Sequence, residues 1–133
     1  ITSIITKKIN GGINYLITDA GMHSLIRPAL YNSYHSIEVF KKHKLKECKY
    51  TIAGPICESS DIFAKNISLP EQKTGNKLII RDVGAYGAVM ASNYNSRGLP
   101  AEILVNQEAF SIIHKPKTIE EYIQLDLIPN WLA

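Results

Sequence analysis

The sequence has only two cysteines, Cys48 and Cys57, in 133 residues. That excludes a disulfide framework. With an ordinary apolar complement it points instead to two free thiols in a reducing compartment. There is no apolar run near the roughly 20 residues that span a bilayer, and no signal-peptide pattern at the start. The expectation is a cytoplasmic domain without a membrane partner. The four histidines (His23, His35, His43, His114) lack metal-ligand spacing with the cysteines, so no metal is expected. Charge of one sign is scarce too. Fifteen Lys and Arg stand against 12 Asp and Glu, and a net +3 is too small and too dispersed to argue for nucleic acid. The densest basic run, "KKHKLKECK" (Lys41 to Lys49), reads as a solvated loop or strand edge. An initiator Met is lacking as well. The chain opens on "ITSIITKKI", which alternates like a strand already under way and suggests a piece of a longer protein.

What is present is one domain's worth of chain, with 45% hydrophobic and 20% charged residues, enough for a single modest core. "ITSIITKKI" and "INYLITDAG" flank "NGG" (Asn10 to Gly12), a strong hairpin signal. "CKYTIAG" (Cys48 to Gly54) and "NKLIIRDV" (Asn76 to Val83) read as strands, and "AEILVNQ" with "AFSIIHK" as a second hairpin around Gln107 and Glu108. About six strands result, mostly antiparallel because short turns join several of them. Helical signals are "GAYGAVMASNYN" (Gly84 to Asn95) and "TIEEYIQLDLI", which opens on a capping box of Thr118 and Glu121. The pattern fits a mainly β fold, a small Greek-key barrel or sandwich with a few short helices.

Three segments carry residue types that suit chemistry. In "DAGMHSLIRPALY" (Asp19 to Tyr31), Arg27 and Tyr31 share a face if the chain turns helically around Pro28. A guanidinium and a phenol converging there suit a carboxylate. The plain alternative is a surface arginine beside a tyrosine at the core's rim. In "GPICESSDIF" (Gly54 to Phe63), Cys57 adjoins Glu58. A thiol's ordinary pKa of about 8.5 makes it a workable proton donor, and a neighbouring carboxylate favours the neutral thiol. Glu58 could reach a cationic ligand group, while a structural cysteine beside a solvated glutamate is the alternative. In "DVGAYGAVMASNYNSRGLPAEILV" (Asp82 to Val105), a Gly-x-x-Gly step puts Tyr86 where a strand feeds a helix. That placement suits an anion such as a phosphate, although a simple strand-to-helix turn is the commoner reason for it.

In this order and spacing, the three segments resemble the C-terminal half of the diaminopimelate decarboxylases. These are pyridoxal-phosphate enzymes related to ornithine and arginine decarboxylases and to alanine racemase. The resemblance runs essentially end to end and includes "TIEEYIQLDLIPNWL". It implies that residues 1–133 are a C-terminal β-barrel domain, preceded in the whole protein by a (β/α)8 barrel that holds pyridoxal 5'-phosphate. It also implies a homodimer with active sites at the subunit interface and conversion of meso-diaminopimelate to L-lysine, the last step of lysine biosynthesis. Arg27 and Tyr31 would hold the substrate's distal carboxylate, and Glu58 its distal ammonium. Cys57 would protonate the reacting carbon after carbon dioxide leaves. Cys57 and Glu58 would both reach into the partner subunit's site, whereas Tyr86 would lie beside cofactor and substrate in its own. The cofactor's lysine and its glycine-rich phosphate loop belong to the barrel, so this chain alone is expected to be inactive. The rival readings are a sibling ornithine- or arginine-type decarboxylase and a non-catalytic β-barrel binding module. Substrates of the siblings lack a distal carboxylate, which leaves Arg27 and Tyr31 without a purpose.

Overall fold

The computed structural model describes residues 1–41 and 44–132; Lys42 and His43, inside the basic run, lie outside them. The flanking Lys41, Lys44, Lys46 and Lys49 are all exposed, as a solvated loop and strand edge require. The chain divides into two compact units, Ile1–Ala91 and Ser92–Ala133.

The first unit holds β1 (Thr2–Asn10), β2 (Ile13–Thr18), α1 (Arg27–Tyr31), β3 (Ile37–Val39), β4 (Glu47–Ala53), β5 (Ile62–Pro70), β6 (Lys77–Ile80) and α2 (Gly84–Val89). Its six strands form one sheet in the order β3-β6-β1-β2-β4-β5. The edge strands β3 and β5 approach each other, so the sheet curls into a nearly closed barrel. Its core is Ile4, Leu16, Leu25, Tyr50, Ile52, Phe63, Leu69 and Leu78. The β1–β2 hairpin turns on Gly11 and Gly12, at φ of 55° and 76°. Positive φ at both turn residues matches the twist of the flanking strands, and glycine adopts it without steric cost.

The second unit holds β7 (Glu102–Asn106), β8 (Ala109–His114) and α3 (Ile119–Ile123), with single 3-10 turns at Tyr94–Ser96 and Asn130–Leu132. β7 and β8 pair as the hairpin expected around Gln107 and Glu108. The capping box on α3 is complete: Glu121 N–H donates to the Thr118 hydroxyl, and Thr118 N–H donates to the Glu121 carboxylate.

Two expectations need correction. The strands number eight among the described residues rather than six. β3 is only three residues long, and β5 conceals itself in sequence because Lys65 and Asn66 together oppose Thr51. That bulge, with Asn66 at φ 55°, breaks the alternation that marks a strand. The segment from Gly84 to Asn95 is not one helix, since α2 ends at Val89 and a separate turn follows at Tyr94. The pairings are mostly antiparallel, as expected; the exception is β2 with β4, which pair in parallel with Ile17 opposite Ala53.

Candidate functional site

The parallel pair positions the site. Two strands running side by side in one direction deliver their following loops to the same end of the sheet. After β2 comes the loop to α1, and after β4 comes the Gly54–Asp61 loop. β6 runs antiparallel to β1, which runs antiparallel to β2, so β6 shares the direction of β2 and β4. It too releases its following segment, α2, at that end. Three stretches separate in sequence are thereby gathered by strand direction alone.

α1 begins at Arg27 and contains Pro28 in its first turn, where a missing N–H costs nothing. Its five residues put Arg27 and Tyr31 four apart on one face, and it rests on β5. Leu25, two residues earlier, is a core residue and fixes the entry to the helix. Gly87, the buried residue of α2, faces Leu25: a Cβ placed on it would lie 3.8 Å from Leu25 Cδ1. Tyr86, next to it, is thereby brought to Arg27. The Arg27 guanidinium carbon lies 5.4 Å from the centroid of the Tyr31 ring and 5.1 Å from that of Tyr86. Both rings are largely open to solvent, at 58% and 63% exposure, and among the described residues no carboxylate forms an ion pair with Arg27. A cation beside two aromatic faces, with no ion-pair partner among the described residues, has the chemistry that suits an anion.

The Gly54–Asp61 loop presents Cys57, Glu58, Ser59 and Ser60 outward. Its two ends are tied by the Gly54 N–H to the Asp61 carbonyl at 3.0 Å, and inside it the Asp61 N–H donates to the Glu58 carbonyl at 3.1 Å. Cys57 is an exposed free thiol, and Cys48, in β4, is also free. The residue that sequence reading left without a role is Asp61. Its carboxylate is buried and accepts one N–H from each of two loops, Met22 at 2.7 Å and Ile56 at 2.7 Å. The available signal was a pair of glycines, Gly21 and Gly54, each placed just beyond a strand end.

The head of the first loop is fixed by Asp19, which accepts from the Thr2 hydroxyl and, at 2.8 Å, from the Ser3 N–H. Partial burial pushes this carboxyl up. The hydrogen bonds from Thr2, Ser3 and Ala20 outweigh that and hold it below the usual carboxylate range.

The structure thus brings Arg27, Tyr31 and Tyr86 into one cluster and presents Cys57 and Glu58 from the adjoining loop, facing away from the core. A groove of about 350 Å³ lined by Phe40, Lys41, Gln72, Gly75, Asn76 and Lys77 shares no residue with this cluster and contains none of its chemistry. As to a cofactor, every described lysine is exposed, and none is enclosed as a covalent anchor for an aldehyde cofactor has to be. The exposed phenol of Tyr86 fits the edge of such a site and not its anchor.

Residues 1–84 match the family described as "Pyridoxal-dependent decarboxylase, C-terminal sheet domain". The diaminopimelate decarboxylase of Archaeoglobus fulgidus is 38% identical over 136 aligned positions, which cover 98% of this chain and 32% of that protein. Its counterpart in Escherichia coli K12 is 39% identical, over 96% of this chain and 33% of the relative. Among solved structures, the diaminopimelate decarboxylase of M. jannaschii superposes with a TM-score of 0.94 at 36% identity, across 99% of this chain and 30% of that one. The same enzyme has been solved with L-lysine bound. An arginine decarboxylase of Paramecium bursaria Chlorella virus, at 18% identity and a TM-score of 0.65, shares the fold. The chain spans about a third of the length of the curated relatives it matches.

Proposed function

Because the chain belongs to the pyridoxal-dependent decarboxylases as their C-terminal sheet domain, we propose that it completes the active site of a diaminopimelate decarboxylase, converting meso-diaminopimelate to L-lysine and carbon dioxide. The observation that carries this reading is the Arg27 guanidinium, stacked near two tyrosine rings with no ion-pair partner among the described residues. Diaminopimelate has a second amino-acid end distant from the reacting one. A pocket specific for it needs a holder for the far carboxylate and another for the far ammonium. Ornithine and arginine carry no far carboxylate and would leave Arg27 unused.

Pyridoxal phosphate, when bound, supplies the electron sink that makes loss of carbon dioxide feasible. The tasks of this chain are orientation and proton delivery. Arg27 binds the distal carboxylate through the N–H edge of its guanidinium, with Tyr31 holding the guanidinium's direction and its phenol available as a further donor. Glu58 binds the distal ammonium. The neighbouring Cys57 thiol delivers its proton to the α-carbon after decarboxylation. Tyr86 lines the cofactor's edge. Cys57 and Glu58 project outward from their loop, which suits service to the partner subunit's site in a homodimer. The anchoring lysine lies in the part of the protein beyond this chain, so this chain alone neither holds the cofactor tightly nor turns over substrate.

The test is decarboxylation of meso-diaminopimelate, L-ornithine and L-arginine by the full-length protein, with Arg27→Lys and Cys57→Ala beside the wild type. Lysine formed only from diaminopimelate is expected. Arg27→Lys should raise KM, since an ammonium cannot reproduce a planar two-pronged donor. Cys57→Ala should lower kcat far more than it changes KM. Turnover of ornithine or arginine instead would keep the family and overturn the substrate.

A further inference from the structure

Asp61 is 3% exposed, although the four residues before it, Cys57 to Ser60, all face solvent. Burying a carboxylate is costly unless its oxygens are well bonded. Here each oxygen receives a backbone N–H from a different loop. Oδ1 accepts from Met22, on the way to α1, and Oδ2 accepts from Ile56, immediately before Cys57. Both bonds are 2.7 Å, short as expected for charge-assisted pairs. The surroundings are built for this carboxylate. A Cβ on Gly21 would lie 2.9 Å from Asp61 Oδ2, and a Cβ on Gly54 would collide with the carboxyl group outright. Each loop therefore has a glycine where Asp61 enters. The β2–β4 pairing brings the loops side by side, but a strand ladder that stops at Ala53 does not fix where Cys57 stands relative to Arg27. The Asp61 clamp lies beyond the ladder and spans that gap.

We infer that Asp61 is a positioning residue: its carboxylate locks the loop that carries Arg27 and Tyr31 to the loop that carries Cys57 and Glu58. With Cys57 and Glu58 serving the partner subunit's site, the clamp ties the anion holder of one site to the proton donor of the other, and both loops are held in place before substrate arrives. This rests on the reading of Arg27 and Cys57 given above. Because the two loops serve different steps, loosening the clamp affects binding and proton delivery together, which neither Arg27 nor Cys57 does alone.

The experiment uses the full-length holoenzyme and Asp61→Asn, which keeps shape but replaces one acceptor oxygen by an amide that cannot accept. The expected result is a fall in kcat/KM for meso-diaminopimelate of about 10- to 100-fold, divided between a raised KM and a lowered kcat, with cofactor absorbance unchanged. A lower melting temperature with both constants unchanged would reduce Asp61 to a fold-stabilising residue and overturn the inference. Arg27→Ala and Cys57→Ala run alongside. If they move KM and kcat respectively while Asp61→Asn moves neither, this inference alone fails. If neither changes its constant, the site reading fails and takes the inference with it. Should Asp61→Asn not fold, backbone hydrogen exchange on the wild-type enzyme decides. Held by one carboxylate, the Met22 and Ile56 amides should open together, with protection equal within about threefold; a gap above about tenfold would refute the clamp.

Discussion

Residues 1–91 and 92–132 use their apolar side chains in opposite ways. The first unit places eight hydrophobic residues in a common core, with Leu16, Ile52 and Leu78 fully enclosed. From Ser92 onward no described residue is buried. The β7–β8 hairpin exposes Ile103 and Val105 on one face and Leu104 on the other, together with Phe110, Ile112 and Ile113. Apolar residues on both faces are the pattern of strands covered on both sides, and a lone two-stranded hairpin is marginal in water. The difference teaches where each part obtains its stability. The first unit contains its own hydrophobic driving force, whereas the second has the composition of buried structure without the burial.

The largest effect that can break this comparison comes from truncating one apolar side chain in each unit. Leu16→Ala, at 0% exposure, should cost about 2–5 kcal/mol in urea unfolding of this chain. Phe110→Ala, at 73% exposure, should cost no more than about 0.5 kcal/mol in the same chain. Repeated in a full-length homodimer of the kind proposed above, the Phe110 cost should rise, because that assembly would offer surfaces to cover it. Equal costs in the chain alone would mean that the hairpin is already packed.

A smaller effect tests what holds the second unit's helix. With no residue of α3 buried, its cap carries an unusual share of its stability. Thr118→Ala should lose about 1 kcal/mol locally, seen as faster amide exchange from Ile119 to Ile123 with no change in the strands of the first unit.

The smallest effect is a pH dependence confined to the first unit. Asp19 has a folded-state pKa below its ordinary 3.8, so its bonds to Thr2 and Ser3 contribute fully above that value. The contribution is lost as pH falls through the lower folded-state value. The stability difference between wild type and Asp19→Asn should stay constant around neutrality and close as the medium is acidified below 3.8. A difference unchanged in strong acid would show that the carboxylate's charge is not what matters there.

Much of this was legible because it is local. Asn10, Gly11 and Gly12 encode the first hairpin through the backbone freedom of glycine, and Thr118 with Glu121 encodes the start of α3 through two hydrogen bonds three residues apart. The residue types of the candidate site were legible for a similar reason: a guanidinium, a thiol, a carboxylate and a phenol have chemistries that do not depend on their neighbours. Strand β5 was not legible. Its bulge at Lys65 and Asn66 disrupts the alternation by which strands are recognised, and only pairing with β4 reveals it.

The sequence by itself determined the turns, the caps, the mainly β composition and the set of reactive side chains. Tertiary structure decided that β2 lies parallel to β4, that Arg27 meets Tyr86 across 59 positions of chain, and that Asp61 is buried between two loops. The physical reason is the range of the forces involved. A glycine turn or a helix cap is settled among three or four neighbouring residues. The register of a parallel pair, and the burial of one carboxylate beneath it, are settled by packing between segments that approach each other only once the whole sheet has formed.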